Sequence, residues 1–344
     1  MIDPDPVPPG AVPSAARAPG KCILFGEHSV VHGGPELVAA IDLYVQVGAA
    51  SAGRFTLNGS PDSLRENAYL REALARLWSS GPPIDVRATS RIPRSAGLGS
   101  SAAFSSAVGA LLGSLTGGIS RASLAERAFE IERAAQGVGS PGDTSACVAG
   151  GYVSINGGDG PALWTIDDGD LRWSVRRVRD PGWVWVVAYS GVPRNTADTV
   201  RAVGRRLAEP DGASLLERFR TVALDGIEAL LREDRERVGR TLTENHRLLR
   251  EVGVSHPRLE ALLEATGPVS LGGKLTGAGA GGSIVVLPIA GREAEVMRRI
   301  ARVGGVPFAV RVAARGAHLV GPPGGAEGPD GSLAGDDPDH RAIG

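Results

Sequence analysis

The sequence predicts an α+β protein, and three features of the pattern carry that expectation. Successive strands come first and lead into a glycine turn and helices. A second block of short alternating segments, residues 152–189, reads as an antiparallel sheet. The second half then turns helical and closes with strand, helix and strand. At 344 residues and 42% hydrophobic content, the chain is long enough for one large or two medium domains with a substantial core.

Taken in order, residues 1–18 are Pro- and Ala-rich and are expected to be a disordered tail. From Lys21 an apolar run meets Gly26-Glu27-His28, and two alternating apolar runs follow over 37–47, giving strands with the polar residues in their connection. A strand is expected over 54–58, a helix over 64–78 and a strand over 84–89. Gly97 and Gly99 then form a turn, and small helix-compatible residues from Ser100 onward begin a helix that runs to about 115. A second helix is expected over 120–136, and a loop rich in Gly and Pro delivers Asp143 to a short helical segment. Strands are expected at 152–155, 162–166, 171–178 and 184–189, with Trp164, Trp173, Trp183 and Trp185 as core or sheet-face residues. Helices follow at 196–207, 214–232, 233–250 and 257–266. A strand at 269–275 leads to a glycine-rich run at 277–282. Strand, helix and strand then occupy 283–288, 293–303 and 306–313, before a Gly/Pro/Asp-rich tail at 321–344.

Composition narrows the function. A net charge of −1 argues against a broad nucleic-acid surface, so any phosphate recognition must be local. Two cysteines, Cys22 and Cys147, cannot build a disulfide framework and read as buried thiols. The first twenty residues lack a basic n-region and an apolar h-region, and no apolar run approaches membrane-spanning length; a cytoplasmic protein is expected. Only two lysines, Lys21 and Lys274, stand among 37 basic residues. Both adjoin glycines, which points to places needing a compact ammonium where a planar guanidinium would not fit.

Four motifs carry candidate chemistry. The turn at Gly97, Leu98, Gly99, Ser100 and Ser101 feeds a helix N-terminus, where free N–H groups and the helix dipole attract phosphate. It is no Walker A loop, since no Lys follows the last glycine, and no second strand ending in an acid supports a dinucleotide fingerprint. On a helical wheel Glu126, Glu130 and Arg133 form an outer polar stripe, whereas Glu132 falls among Ala125, Ala128, Phe129 and Ala135. An acid there needs a metal, a cation or hydrogen-bond donors, and a salt bridge would satisfy it as well as a metal. Asp143 is either a helix N-cap or a group presented by a loop shaped for it. Together, three glycine-rich segments, two isolated lysines and two acids in unusual settings fit ATP-dependent phosphoryl transfer.

The motifs resemble those of the GHMP-superfamily small-molecule kinases, most closely the mevalonate kinases. Ala18-Pro-Gly-Lys-Cys-Ile-Leu-Phe-Gly-Glu-His-Ser-Val-Val-His-Gly resembles the family's first motif, 93–103 the second and Lys274-Leu-Thr-Gly-Ala-Gly-Ala-Gly-Gly the third. Ser190-Gly-Val-Pro-Arg-Asn-Thr196 and the Asn245-His246 region are also similar. Galactokinases follow Gly-Glu-His with Thr-Asp, absent here, and homoserine kinases lack an acid in the place of Asp143.

The resemblance implies a two-lobed GHMP kinase fold, with an N-terminal ATP-binding lobe over 19–180 resembling ribosomal protein S5 domain 2 and a ferredoxin-like C-terminal lobe over 181–320. It implies ATP and Mg²⁺ as cofactors and (R)-mevalonate as the acceptor, phosphorylated on its 5-hydroxyl in isoprenoid-precursor synthesis. A related kinase of phosphomevalonate or a sugar, or a silent ATP-binding regulator, is the alternative. By resemblance Asp143 is the general base and Lys21 its partner beside the γ-phosphate, while Gly97, Leu98, Gly99, Ser100 and Ser101 wrap the ATP phosphates. Ser101 and Glu132 hold Mg²⁺, and Glu27, His28 and Thr196 hold substrate or order the site, with Arg194 a further candidate. The glycine run from Gly277 backs the phosphate loop. Neither nucleic acid nor membrane is implied as a partner, and a homodimer is compatible. The loop Ser-Pro-Gly-Asp143-Thr departs from the family's commoner Pro-Ser-Gly-x-Asp-Asn, and Ala278 and Ala280 interrupt its glycine run.

Overall fold

The computed structural model describes residues 15–137, 139–193 and 196–320, with the side chains of 196 and 197 outside the description. Strand β1 (Ala15–Phe25) pairs antiparallel with the long strand β2 (Glu36–Ser51), which sets Lys21 opposite Ala40. From Ala18 onward β1 is buried on both faces. Helices of the first lobe cover one side and elements of the second lobe the other, so the strand reads as a continuous apolar run rather than an alternating one.

Next come β3 (Thr56–Leu57), α1 (Pro61–Glu66), α2 (Ala68–Leu77) and β4 (Ile84–Ser90). The expected strand over 54–58 shrinks to two residues because Asp85 ties the chain down. Its Oδ1 accepts from the Thr56 hydroxyl at 2.7 Å and from the Gly59 N–H at 2.8 Å. The expected single helix over 64–78 is two, since Asn67 takes an extended backbone and its side chain caps the second by accepting from the Leu70 N–H at 2.9 Å.

Helix α3 (Ser100–Leu115) is buried around most of its circumference, and its small residues let neighbours approach closely. Helices α4 (Arg121–Gln136) and α5 (Gly142–Ala149) pack beside it, and β5 (Tyr152–Ile155), β6 (Ala162–Asp167) and β7 (Arg172–Val178) extend the sheet. Trp173 and Trp185 are fully buried, as the core reading requires.

The second lobe begins at β8 (Trp185–Tyr189) and continues through α6 (Thr196–Leu207), α7 (Gly212–Leu231), α8 (Arg235–Glu251), α9 (Pro257–Thr266), β9 (Ser270–Thr276), β10 (Ser283–Pro288), α10 (Glu293–Arg302) and β11 (Val306–Val310). Its sheet has the antiparallel order β11-β8-β10-β9. Taken as strands one to four, that order is 4-1-3-2 with helices between the first and second and between the third and fourth, which is the ferredoxin-like arrangement.

The chain then returns to the first lobe, where β12 (His318–Val320) pairs antiparallel with residues 15–17 of β1. Two boundary expectations are corrected here. Residues 15–18 form the start of β1 rather than a tail, because β12 pairs with 15–17 on one side and β2 with 16–18 on the other. The last segment of the expected C-terminal lobe belongs to the first sheet, in the order β12-β1-β2-β5-β7-β6 with β4 also on β2. The rest of the expected tails, 1–14 and 321–344, lies outside the described residues.

Candidate active site

Four elements of the first lobe converge. β1 carries Lys21, the start of α3 carries Ser100 and Ser101, α4 carries Glu132, and the start of α5 carries Asp143. The Lys21 ammonium lies 2.9 Å from Asp143 Oδ2, with the lysine side chain 1% exposed and the aspartate 36% exposed. The contact is an ion pair, and Lys21 Nζ has no other partner among the described residues. A buried ammonium with donors unspent fits an anionic oxygen brought by a ligand.

Gly99 explains how the lysine reaches that position. It sits in the left-handed region at φ 77°, and a Cβ there would lie 2.6 Å from Lys21 Cγ, so a side chain would collide with the lysine stem. The Lys21 N–H donates to the Leu98 carbonyl at 3.0 Å, which ties the glycine loop to β1. The Leu98 side chain is buried in the core and its carbonyl is bound to β1, so this residue fixes the loop's position. From behind, Ser283 Oγ donates to the Ala96 carbonyl at 2.7 Å, so the segment after the third glycine run does back the loop.

Helix α3 begins with no side-chain cap, leaving its first N–H groups available. Gly97, Gly99, Ser100 and Ser101 line a cleft of about 630 Å³ that also takes in Tyr69 and Asp143. Opposite it, Glu132 on α4 accepts from Ser101 Oγ at 3.0 Å, from Ser105 Oγ at 2.8 Å and from Gln136 Nε2 at 2.5 Å. Burial nonetheless pushes its carboxyl up to about 7, with the Asp143 charge adding to the shift and the two serine hydroxyls opposing it. The acid on the apolar face of the wheel is therefore held by donors rather than by a salt bridge.

A second cavity, about 100 Å³, lies on the other side of Asp143 and is lined by Lys21, Glu27, His28, Glu36, Glu132 and Asp143 with Ile23, Val30, Val31, Phe129 and Val200. Asp143 borders both spaces. His28 reaches this cavity from a left-handed backbone at φ 64°, its Nε2 lying 3.0 Å from the Ala278 carbonyl oxygen. Glu27 also lines this cavity; its Oε1 is ion-paired with Lys274, both side chains are buried, and its Oε2 has no hydrogen-bond partner among the described residues. Burial drives the pair toward neutrality, raising Glu27 and lowering Lys274, against their mutual attraction. Thr196 opens α6, but its side chain and Arg194 lie outside the described residues.

Several participants were not singled out from sequence. Ser105 lies one helical turn from Ser101, and Gln136 one turn from Glu132, so i, i+4 spacing from the chosen residues would have found both. Glu36 begins β2, is 1% exposed and stands beside the Asp143 loop, where a Cβ on Gly142 would lie 1.9 Å from its Oε2. Nothing in its local sequence marks it.

The GHMP kinase N-terminal domain model matches residues 67–151 and the C-terminal model residues 227–305. A mevalonate kinase of Methanothermobacter thermautotrophicus is 32% identical over 79% of this chain and 89% of its own length. The chain belongs to the GHMP kinases. Among its relatives in that family, a mevalonate kinase of Pyrococcus abyssi is 30% identical over 88% of this chain and 97% of its own length. The crystal structure of the Methanococcus jannaschii mevalonate kinase shares the fold, with a TM-score of 0.70 at 23% identity, covering 89% of this chain and 99% of that one. As a GHMP kinase the protein is an ATP-dependent phosphotransferase.

No group of three or more His, Cys, Asp or Glu side chains among the described residues could hold a metal unaided. One carboxylate with adjacent hydroxyls is instead the donor set expected for Mg²⁺, which keeps most of its coordination for water and substrate phosphates. No described helix is long and apolar enough to cross a membrane.

Proposed function

We propose that this kinase transfers the γ-phosphate of ATP to the 5-hydroxyl of (R)-mevalonate, giving 5-phosphomevalonate and ADP. The observation that carries the reading is the position of the Lys21–Asp143 pair, with Asp143 bordering a large cleft fronted by a helix N-terminus and a small cavity of mixed polarity. The larger space suits the nucleotide and the smaller one the acceptor. Ile23, Val30, Val31, Phe129 and Val200 give the small cavity an apolar wall. That wall suits a short branched hydroxy acid with a methyl group better than a sugar, whose many hydroxyls would each need a partner.

Asp143 takes the proton of the acceptor hydroxyl as that oxygen bonds to the γ-phosphorus and the bond to the β,γ-bridging oxygen breaks, releasing ADP. Lys21 stabilises the charge on the transferring oxygens with the donors it does not spend on Asp143. The α3 N-terminus and the backbone of Gly97, Gly99 and Ser100 hold the phosphates. Glu132 and Ser101 would hold Mg²⁺, which when bound supplies neutralisation of the phosphate charge. Ser105 and Gln136 orient the Glu132 carboxylate from either side. His28 shapes the acceptor cavity, and Glu27 orders it through Lys274. The same reading implies a cytoplasmic enzyme with small-molecule partners and no role for nucleic acid or membrane.

The test is ADP release by the purified protein, with ATP and Mg²⁺, against mevalonate, phosphomevalonate, galactose and homoserine. Mevalonate should give the highest kcat/KM. Preference for another of the four would overturn the acceptor, and no release with any of them would overturn the kinase reading.

A further inference from the structure

We propose that Arg133 receives the carboxylate of the acceptor and so sets the kinase's preference for a hydroxy acid over a neutral alcohol. The inference rests on the mevalonate reading above and adds the residue that recognises the far end of that molecule.

The acceptor cavity has two ends. Asp143 stands where it meets the nucleotide cleft. At the other end Arg133, with His28, Val31, Gly139 and Val200, borders both the cavity and a further cleft of about 340 Å³. A linear acceptor with its hydroxyl at Asp143 therefore directs its opposite terminus toward Arg133.

Charge points the same way. Glu27, Glu36, Glu132 and Asp143 line the cavity, against Lys21 and Arg133 as its lysine and arginine. Lys21 is buried beside Asp143 and serves the phosphate, whereas the Arg133 side chain is 40% exposed at the cavity's end. An anionic acceptor whose hydroxyl lies at Asp143 needs a cation at its other end, and Arg133 is the one the described lining provides there.

Its setting suits the task. The guanidinium lies 5.9 Å from the centre of the Phe129 ring, whose side chain also lines the cavity, and it is ion-paired through Nη1 with Asp168. Asp168 is itself fixed by its turn, its Oδ1 accepting from the Asp170 N–H at 3.1 Å and the Leu171 N–H at 2.8 Å. That pairing uses one edge of a group with five N–H donors and holds its plane still, leaving donors for a second carboxylate. On the helical wheel Arg133 belongs to the outer polar stripe; only the β6–β7 turn folding over α4 converts it into a cavity residue.

Steady-state kinetics of the full chain at saturating ATP, with (R)-mevalonate and with its uncharged counterpart 3-methylpentane-1,3-diol, test the assignment. Arg133→Gln should raise KM for mevalonate about ten- to a hundredfold with kcat little changed, and leave KM for the diol as it was. Arg133→Lys should recover part of the loss. Asp168→Asn, which removes the competing carboxylate, should lower KM for mevalonate or hold it steady. If Asp168→Asn instead raises it as Arg133→Gln does, the pair is a structural strut and the proposal falls. It falls equally if Arg133→Gln keeps the wild-type preference for the acid while Arg194→Gln loses it. Failure of the mevalonate reading itself would be visible earlier, as a wild-type enzyme that does not turn over mevalonate.

Discussion

The two lysines of this chain lie beside glycines and are both buried, yet the structure uses them differently. Lys274 is fully enclosed, paired with a Glu27 side chain that is equally enclosed, and it joins β9 of the second lobe to the end of β1 in the first. Thr276, two residues on, reinforces the joint by exchanging hydrogen bonds with the Ile23 backbone at 2.9 and 3.0 Å. Lys21 is just as buried, but its partner Asp143 is 36% exposed and borders both cavities, and the ammonium has no partner besides it among the described residues. The Glu27–Lys274 pair joins the two lobes, whereas the Lys21–Asp143 pair stands where the nucleotide cleft meets the smaller cavity. Burial of a charge is thus no guide to its role until the exposure of its partner is known.

Breaking the Lys21–Asp143 pair at its exposed end should have the largest effect. Asp143→Asn is expected to lower kcat by roughly 10²- to 10⁴-fold while leaving nucleotide affinity nearly intact, as measured by turnover and by titration with a non-hydrolysable ATP analogue. Near-normal turnover would remove the proton-transfer role. Breaking the Glu27–Lys274 pair should appear in stability instead. Lys274→Met strands a buried carboxylate and should cost about 3–5 kcal/mol in denaturant unfolding. A loss within about 1 kcal/mol would show that Glu27 finds another partner or simply takes up a proton. Adding Glu27→Gln to Lys274→Met should return a good part of that stability, because no buried charge then remains, and a double-mutant cycle gives the coupling.

The smallest expected effect separates a third carboxyl, Glu36, from both pairs. Burial first, and the Asp143 charge second, hold its pKa well above the ordinary value near 4.5. A carboxyl raised in the folded state contributes its full stability below the unfolded pKa and loses it as pH rises through the folded one. Glu36→Gln should therefore unfold at about the wild-type temperature near pH 4 and a few degrees higher at pH 8. An equal difference at both pH values would mean that packing, rather than ionisation, governs the site.

How much of this was legible beforehand depended on whether the signal was local. The rarity of lysine marked both ammonium groups, and the apolar face of the α4 wheel marked Glu132 as an acid in need of donors. Glycines at 97 and 99 marked the turn whose left-handed backbone makes room for the Lys21 stem. The ferredoxin-like order came from the family resemblance, and strand pairing bears it out. What stayed hidden was set by long-range packing. Glu27 and Lys274 are 247 residues apart, and no local pattern says that they meet. Glu36 looks like the first residue of an ordinary strand, and Arg133 like one charge in a solvated stripe. The return of β12 to the first sheet hid for the same reason, since three residues carry no periodicity.

The difference between the lysines is tested most directly by single-turnover transfer of the γ-phosphate to mevalonate by Lys21→Met, at saturating nucleotide and acceptor. Methionine keeps the apolar stem against Gly99, and the Asp143 charge left behind is exposed enough to be hydrated, so the variant should unfold within a few degrees of the wild type. On this account the transfer rate falls by at least about a hundredfold in that folded protein. A folded Lys21→Met enzyme that transfers phosphate at close to the wild-type rate would contradict it.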